Sequence, residues 1–223
     1  MNRDILRRMI QTVVTLALQG IILFISAWSM RWVWAWVFVG TGAIGLIINY
    51  FILPPEVIEE RGRKKENVKK WDQVLTTINI FPFLGVYIVS GLDYRFNWSI
   101  DLPVSIHLLG VIVSFLGLML FTWSMVSNHY FSTMVRLQDE RGHQVATGGP
   151  YKYVRHPGYV GFILMVLATP IALGSIYALS MSFMVSIIFI IRTALEDRTL
   201  QTELDGYLAY SEKVRYRLLP FIW

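Results

Sequence analysis

The sequence predicts an all-α fold: a polytopic membrane helix bundle of about six membrane segments, including a C-terminal helical hairpin, followed by an amphipathic surface helix. Three observations carry this reading. Of 223 residues, 55% are hydrophobic and only 16% charged, with a mean hydropathy of +0.50, which leaves too little polar surface for a soluble domain of this size. Apolar runs recur at lengths near the roughly 20 residues that cross a bilayer core. The segments between them alternate between rich and poor in Lys and Arg, the pattern that orients membrane proteins.

The first run, about Met9 to Met30, follows Arg3, Arg7 and Arg8. It is too long for a signal-peptide core and lacks a clear small-residue cleavage site, so it is read as an anchor. Trp28, Trp32, Trp34 and Trp36 cluster at the first outer turn and are expected to form an interfacial aromatic belt. The second run, Trp32 to Leu53, returns the chain to an inner segment with Arg61, Arg63, Lys64, Lys65, Lys69 and Lys70. Runs three and four, Val74 to Leu92 and Val104 to Val126, bring it back to Arg136, Arg141, Lys152 and Arg155.

The last apolar run, Tyr159 to Ile191, would measure about 50 Å as one helix, too long for a core of roughly 30 Å. Gly174-Ser175, with Pro170 just before, offers a turn. The run is therefore expected to fold as a hairpin whose short arms need not reach the far interface. Arg192, Arg198, Lys213, Arg215 and Arg217 then fall inside, and of the 20 Lys and Arg residues only Arg31 and Arg95 fall outside. Both termini are accordingly placed in the cytoplasm. Beyond Arg192, Leu200, Leu204, Tyr207, Leu208 and Ser211 share one helical face, as expected of a surface helix that Pro220 stops. The organisation is one membrane domain, 1–223, in which 1–126 is scaffold and 127–223 carries the chemistry.

Several function classes drop out. The chain has no cysteine, which excludes disulfides and thiolate catalysis, and its 4 histidines lack metal-ligand spacing. The net charge of +5 follows from membrane orientation and needs no nucleic acid. Asn49, Asn79, His107, Asn128 and His129 read as interhelical hydrogen-bond partners, the last two also as a candidate substrate entrance.

What remains is a polar cluster, Gly149-Pro150-Tyr151-Lys152-Tyr153-Val154-Arg155-His156-Pro157-Gly158-Tyr159-Val160-Gly161, and a second one at Arg192, Glu196 and Asp197. A hairpin between them brings both to one membrane face. Arg192 and Glu196, four residues apart, share a helix side. His156 precedes a proline, so it is biased to extended backbone at a helix start, where free N–H groups receive anions. Cationic and anionic walls suit a zwitterion such as S-adenosylmethionine, with Tyr151, Tyr153 and Tyr159 as stacking surfaces. NADPH would ask for more cations than anions. Taken singly, Lys152 and Arg155 are ordinary inner-face anchors, Arg192 a snorkelling side chain, and the acidic pair a helix-dipole partner; their co-location is what points to a site.

At Arg155-His156-Pro157-x-Tyr159, the later Glu196-Asp197, Gly206-Tyr207-x-x-Tyr210 and Leu219-Pro220, the chain resembles the isoprenylcysteine carboxyl methyltransferase and phospholipid methyltransferase superfamily of integral membrane enzymes. The resemblance covers about Asn128 to Phe221. It implies S-adenosyl-L-methionine bound near the cytoplasmic face, with Gln138, His143, Gln144, Val145, Ala146, Tyr151, Arg155, His156, Pro157, Gly158, Tyr159, Glu196 and Asp197 as cofactor-binding positions. It implies that Arg192, one turn before the acidic pair, is the catalytic position that meets a lipid-like or isoprenylated methyl acceptor. The acidic pair is Glu-Asp where the family usually has Glu-Glu, and His143-Gln144-Val145-Ala146 is smaller and more polar than the common form. Carboxyl O-methylation is the preferred reading, because a carboxylate needs no general base. Phospholipid amine N-methylation and an NADPH-dependent membrane sterol or enone reductase are the alternatives.

Overall fold

The computed structural model describes residues 2–64 and 66–223; Lys65, counted above with the second inner segment, lies outside them. The described residues form α1 (Arg3–Ala27), α2 (Val33–Ile52), α3 (Pro55–Gly62), α4 (Lys70–Phe96), α5 (Val104–Val126), α6 (Pro157–Leu173), α7 (Ala178–Glu203) and α8 (Tyr207–Lys213), with two 3-10 turns and no strand. Helices α1, α2, α4, α5 and α7 are long and apolar enough to cross a membrane, and α6 is a shorter apolar helix. The all-helical membrane bundle read from the sequence is what the chain forms.

Local chemistry sets the boundaries. Asn2 caps α1 by accepting the Asp4 N–H at 3.0 Å. Proline opens α3 and α6 at their first position, where its missing N–H costs nothing. Gly174, at φ +82°, ends α6 in the left-handed conformation, and the Gly174 and Ser175 N–H groups return to the Ile171 and Pro170 carbonyls. Helix α7 starts at Ala178 and runs back, so the expected hairpin is present.

The tip of this hairpin is tied down. Ser175 Oγ donates to Asp93 Oδ2 at 2.5 Å, and the Ile176 N–H donates to Ser99 Oγ at 2.9 Å. The hairpin thus extends as far as the α4–α5 connection, although α6 measures only about 25 Å by its rise per residue. Along its length α6 lies against α5 with almost no side chain between them. A Cβ on Gly161 would stand 2.6 Å from the Gly117 carbonyl oxygen, and one on Gly117 would stand 2.7 Å from that of Gly161. Small residues at such a seam let two backbones approach inside a membrane.

Two sequence expectations need correcting here. The tryptophan cluster divides: Trp28 is 76% exposed and fits a belt, but Trp32 is buried and stacks on Tyr94, with centroids 4.7 Å apart. Trp34 stacks on His107 at 4.3 Å. Tertiary partners on α4 and α5 captured these two rings. The C-terminal amphipathic stretch is also not one helix. Leu204 leaves the helix, Gly206 takes φ +80°, and the short α8 follows. Its buried face is Leu204, Tyr207 and Tyr210, whereas Leu208 is 57% exposed.

Candidate active site

The hairpin returns the chain beside its starting point, and one carboxylate marks the meeting. Asp197, fully buried on α7, accepts from Arg155 Nε at 2.7 Å and Nη2 at 2.9 Å, across 42 residues of sequence. Arg217 Nε at 2.8 Å, the Tyr207 hydroxyl at 2.9 Å and Gln201 Nε2 at 3.0 Å also donate to it, and His156 Nε2 lies 3.3 Å away. The free edge of Arg155 holds the C-terminal segment: Nη1 donates to the carbonyls of Val214 and Arg215 at 2.8 Å. A buried ion pair of this kind adds little net stability, but removing one partner is costly. Asp197 therefore works as a framework joint.

Its neighbour Glu196 faces a cleft. The Tyr159 hydroxyl donates to Glu196 Oε2, and no donor among the described residues reaches the other carboxylate oxygen. The cleft encloses about 870 Å³ including its open mouth, within the range of small-molecule sites. Tyr130, Phe131, Tyr151 and Tyr207 give it an aromatic lining. Burial pushes the Tyr151 and Tyr207 phenols above their ordinary value, and the Asp197 charge raises Tyr207 further. Both stay protonated at neutral pH: Tyr207 donates to Asp197, and the Tyr151 oxygen accepts from Asn128 Nδ2 at 3.3 Å.

Of the sequence-derived positions, His143, Gln144, Val145, Ala146, Tyr151, Arg155, His156, Gly158, Tyr159 and Glu196 line this cleft. Four do not. Gln138 is fully buried beneath it, donating to the Tyr130 carbonyl and accepting from Arg141, both at 2.6 Å. Pro157 is the buried first residue of α6, and Asp197 is the joint described above. Arg192 points to α4, where Nε meets Asp72 Oδ1 at 2.7 Å and Nη2 meets Asp72 Oδ2 at 3.2 Å and the Thr133 carbonyl at 3.1 Å. Among the described residues nothing bonds its Nη1, which is left for a ligand. Tyr153, expected as a stacking surface, is 65% exposed instead.

The walls differ from the expected pair of opposite charges. Arg155 is turned into Asp197, and Arg136 is held by Glu60 at 3.1 Å and Glu140 at 2.8 Å, so the cleft keeps Glu196 as its open charge. Nor are the backbone donors before α6 free for an anion. The Arg155 and His156 N–H groups bond to the Tyr216 and Arg217 carbonyls at 2.9 Å. His129, a candidate entrance residue, is exposed, whereas Asn128 lines the cleft.

Sequence reasoning passed over Glu60 and Asp72, both buried acids that fasten the 127–148 segment over the site. The signal was available: each is an acid at the edge of an apolar run within a basic stretch, and such ionisable groups are normally paired. It also passed over the rings of Tyr130 and Phe131, which carry no chemical motif.

Comparisons with known proteins point the same way as the sequence motifs. Residues 108–202, which contain both polar clusters, match the model of the isoprenylcysteine carboxyl methyltransferase (ICMT) family. The protein-S-isoprenylcysteine O-methyltransferase of Schizosaccharomyces pombe is 36% identical over 86 residues, or 38% of this chain. The chain spans only 36% of that relative's length. The superfamily resemblance carried by Arg155-His156-Pro157 and Glu196-Asp197 is thus borne out over residues 108–202.

Proposed function

We propose that this chain is an integral membrane methyltransferase that uses S-adenosyl-L-methionine to methylate a carboxylate on a lipid-like or isoprenylated acceptor. The observation that carries the proposal is Glu196: one oxygen fixed by Tyr159, the other open, in the wall of an aromatic cleft fused to a membrane bundle. The residues present fit a nucleoside amino acid. Glu196 suits its ammonium group through a charge-assisted hydrogen bond, and the rings of Tyr130, Phe131 and Tyr151 suit a purine and a neighbouring sulfonium. When bound, this cofactor supplies an electrophilic methyl group.

The chain's own residues supply position and dryness. Tyr159 locks the Glu196 rotamer, and the roof fastened by Glu60 and Asp72 covers the cleft. Alignment of two reactants in a water-poor site can account for a large part of a displacement barrier. A carboxylate acceptor needs no proton removed, in keeping with phenols that burial keeps protonated. Arg192 Nη1 is then available to orient the acceptor. By the positive-inside pattern, this end of the bundle faces the cytoplasm.

A reductase reading is disfavoured by the arginines: those nearest the cleft already hold carboxylates and offer little to the phosphates of NADPH. Thermal shift of the detergent-solubilised protein tests both. Stabilisation by S-adenosylhomocysteine, together with transfer of labelled methyl from S-adenosylmethionine to a prenylated cysteine, is expected. Stabilisation by NADPH alone would overturn the proposal.

A further inference from the structure

We infer that Arg61, on α3, receives the acceptor's carboxylate at the inner end of an apolar groove between α1, α2, α3 and α5 that holds the acceptor's chain. The inference rests on the methyl-transfer reading above and gives it an acceptor site that involves the N-terminal half.

Arg61 is a half-buried cation in an apolar place. Its guanidinium carbon lies 5.3 Å from the centroid of Phe131 and 5.5 Å from that of Phe121, rings that pack edge to face at 5.4 Å. Among the described residues no carboxylate lies within ion-pair distance of it, in contrast to Arg136, Arg155 and Arg192. The groups that act on it electrostatically include two further cations, Arg8 and Arg192. Burial first, and then those two charges, hold its pKa well below the ordinary arginine value. An anion placed here would relieve all three.

The position is held firmly. A Cβ on Gly62 would stand 2.0 Å from the Asp4 carbonyl oxygen, so α3 lies directly on the α1 backbone. Val57 is fully buried, and Glu60 is bonded to Arg136 and Ser132. A guanidinium carried on such a clamped turn is preorganised for a bidentate partner.

The space beside it fits one kind of occupant. A groove of about 650 Å³, open side included, runs from Arg8 and Arg61 between Leu46, Leu53, Ile58, Phe121 and Met125. Val13 and Tyr50, 58% and 53% exposed, form its outer rim, on the surface that faces lipid. Phe131 lines the cleft while its ring carries Arg61, which lines the groove. Gly158 permits this, because a Cβ there would stand 2.7 Å from the Phe131 ring. An apolar chain with a terminal carboxylate satisfies the groove and its two arginines together, and its reactive end then lies one ring away from the cofactor cleft.

The test is binding by the full chain in phosphatidylcholine nanodiscs, with N-acetyl-S-farnesylcysteine and its primary carboxamide as probes. The acid is expected to bind roughly tenfold to a hundredfold more tightly than the amide in the unaltered protein. Arg61→Gln should abolish that preference, Arg61→Lys should keep part of it, and S-adenosylhomocysteine affinity should change less than about threefold in both. An acid preference that survives Arg61→Gln overturns the inference. So does parallel loss of S-adenosylhomocysteine binding in both variants, which would make Arg61 a structural residue. If acid and amide bind alike while phosphatidylglycerol stabilises only the unaltered protein, the groove holds anionic lipid and the inference fails. An Arg61-dependent acid preference without any S-adenosylhomocysteine binding would refute methyl transfer while supporting the acceptor site.

Discussion

Removing the charge of Asp72 tests how far Arg192 is a strut between α4 and α7. Asp72 is fully buried and the Arg192 side chain is 10% exposed; two hydrogen bonds, at 2.7 and 3.2 Å, join them. Asp72 also accepts the Val135 N–H at 2.7 Å, which pins the segment roofing the cleft. Asp72→Ala strands a guanidinium, a loss of about 3–5 kcal/mol, and leaves the Val135 N–H unpaired, about 1–3 kcal/mol more. Arg192→Met strands the carboxylate instead, again by about 3–5 kcal/mol. The double variant buries no lone charge, so it should be less destabilised than the sum of the singles by about 2–3 kcal/mol. A double-mutant cycle, read by SDS titration in mixed micelles at fixed pH, measures this coupling. Additivity within about 0.5 kcal/mol would refute the strut.

Other expectations follow from the same geometry. Glu196→Gln should weaken S-adenosylhomocysteine by roughly tenfold to a hundredfold in calorimetry, the cost of losing a charge-assisted hydrogen bond, with helix content unchanged. Gly161→Ala puts a methyl against the Gly117 carbonyl and the Phe121 backbone nitrogen; part of the α5–α6 seam must move, lowering stability by about 1–3 kcal/mol in the same titration. Burial lowers the pKa of His143 from its ordinary 6.5, against the opposing charge of Asp139. Its neutral form is therefore favoured by folding: this contribution is whole above pH 6.5 and is lost as pH falls through the lower folded value. Stability measured from pH 7.5 down to 5 should fall less steeply in His143→Asn.

The sequence made the hairpin legible because its signals are local: a run too long for one span, a glycine where a left-handed residue is needed, and basic residues at both ends. The cleft's position followed once both ends shared a face. What escaped was pairing. Arg192, Arg155 and Arg136 look alike in sequence, each a cation at a membrane edge, and only tertiary geometry shows that Asp72, Asp197 and Glu60 hold them. Arg61 sits among so many basic neighbours that nothing in the sequence separates it from an ordinary inner-face charge. Trp32 and Trp34 were misread for a related reason. An aromatic ring near an interface can face lipid or a neighbouring helix, and the choice depended on Tyr94 and His107, both distant in sequence.

The consecutive acids of α7 show how one motif serves both fold and chemistry. Adjacent residues on a helix diverge by about 100°, so Glu196 and Asp197 cannot face the same space. Glu196 looks into the cleft with one oxygen held and one open; Asp197 looks into the joint between the hairpin and the C-terminal segment, where Arg155, Arg217 and Tyr207 donate to it. The shorter side chain stands where distances of 2.7–3.0 Å to Arg155, Arg217, Tyr207 and Gln201 leave no slack. A second glutamate would have to fit an extra methylene into that buried space. The Glu-Asp pairing is therefore a consequence of the joint's packing, and it leaves the charge facing the cleft unchanged.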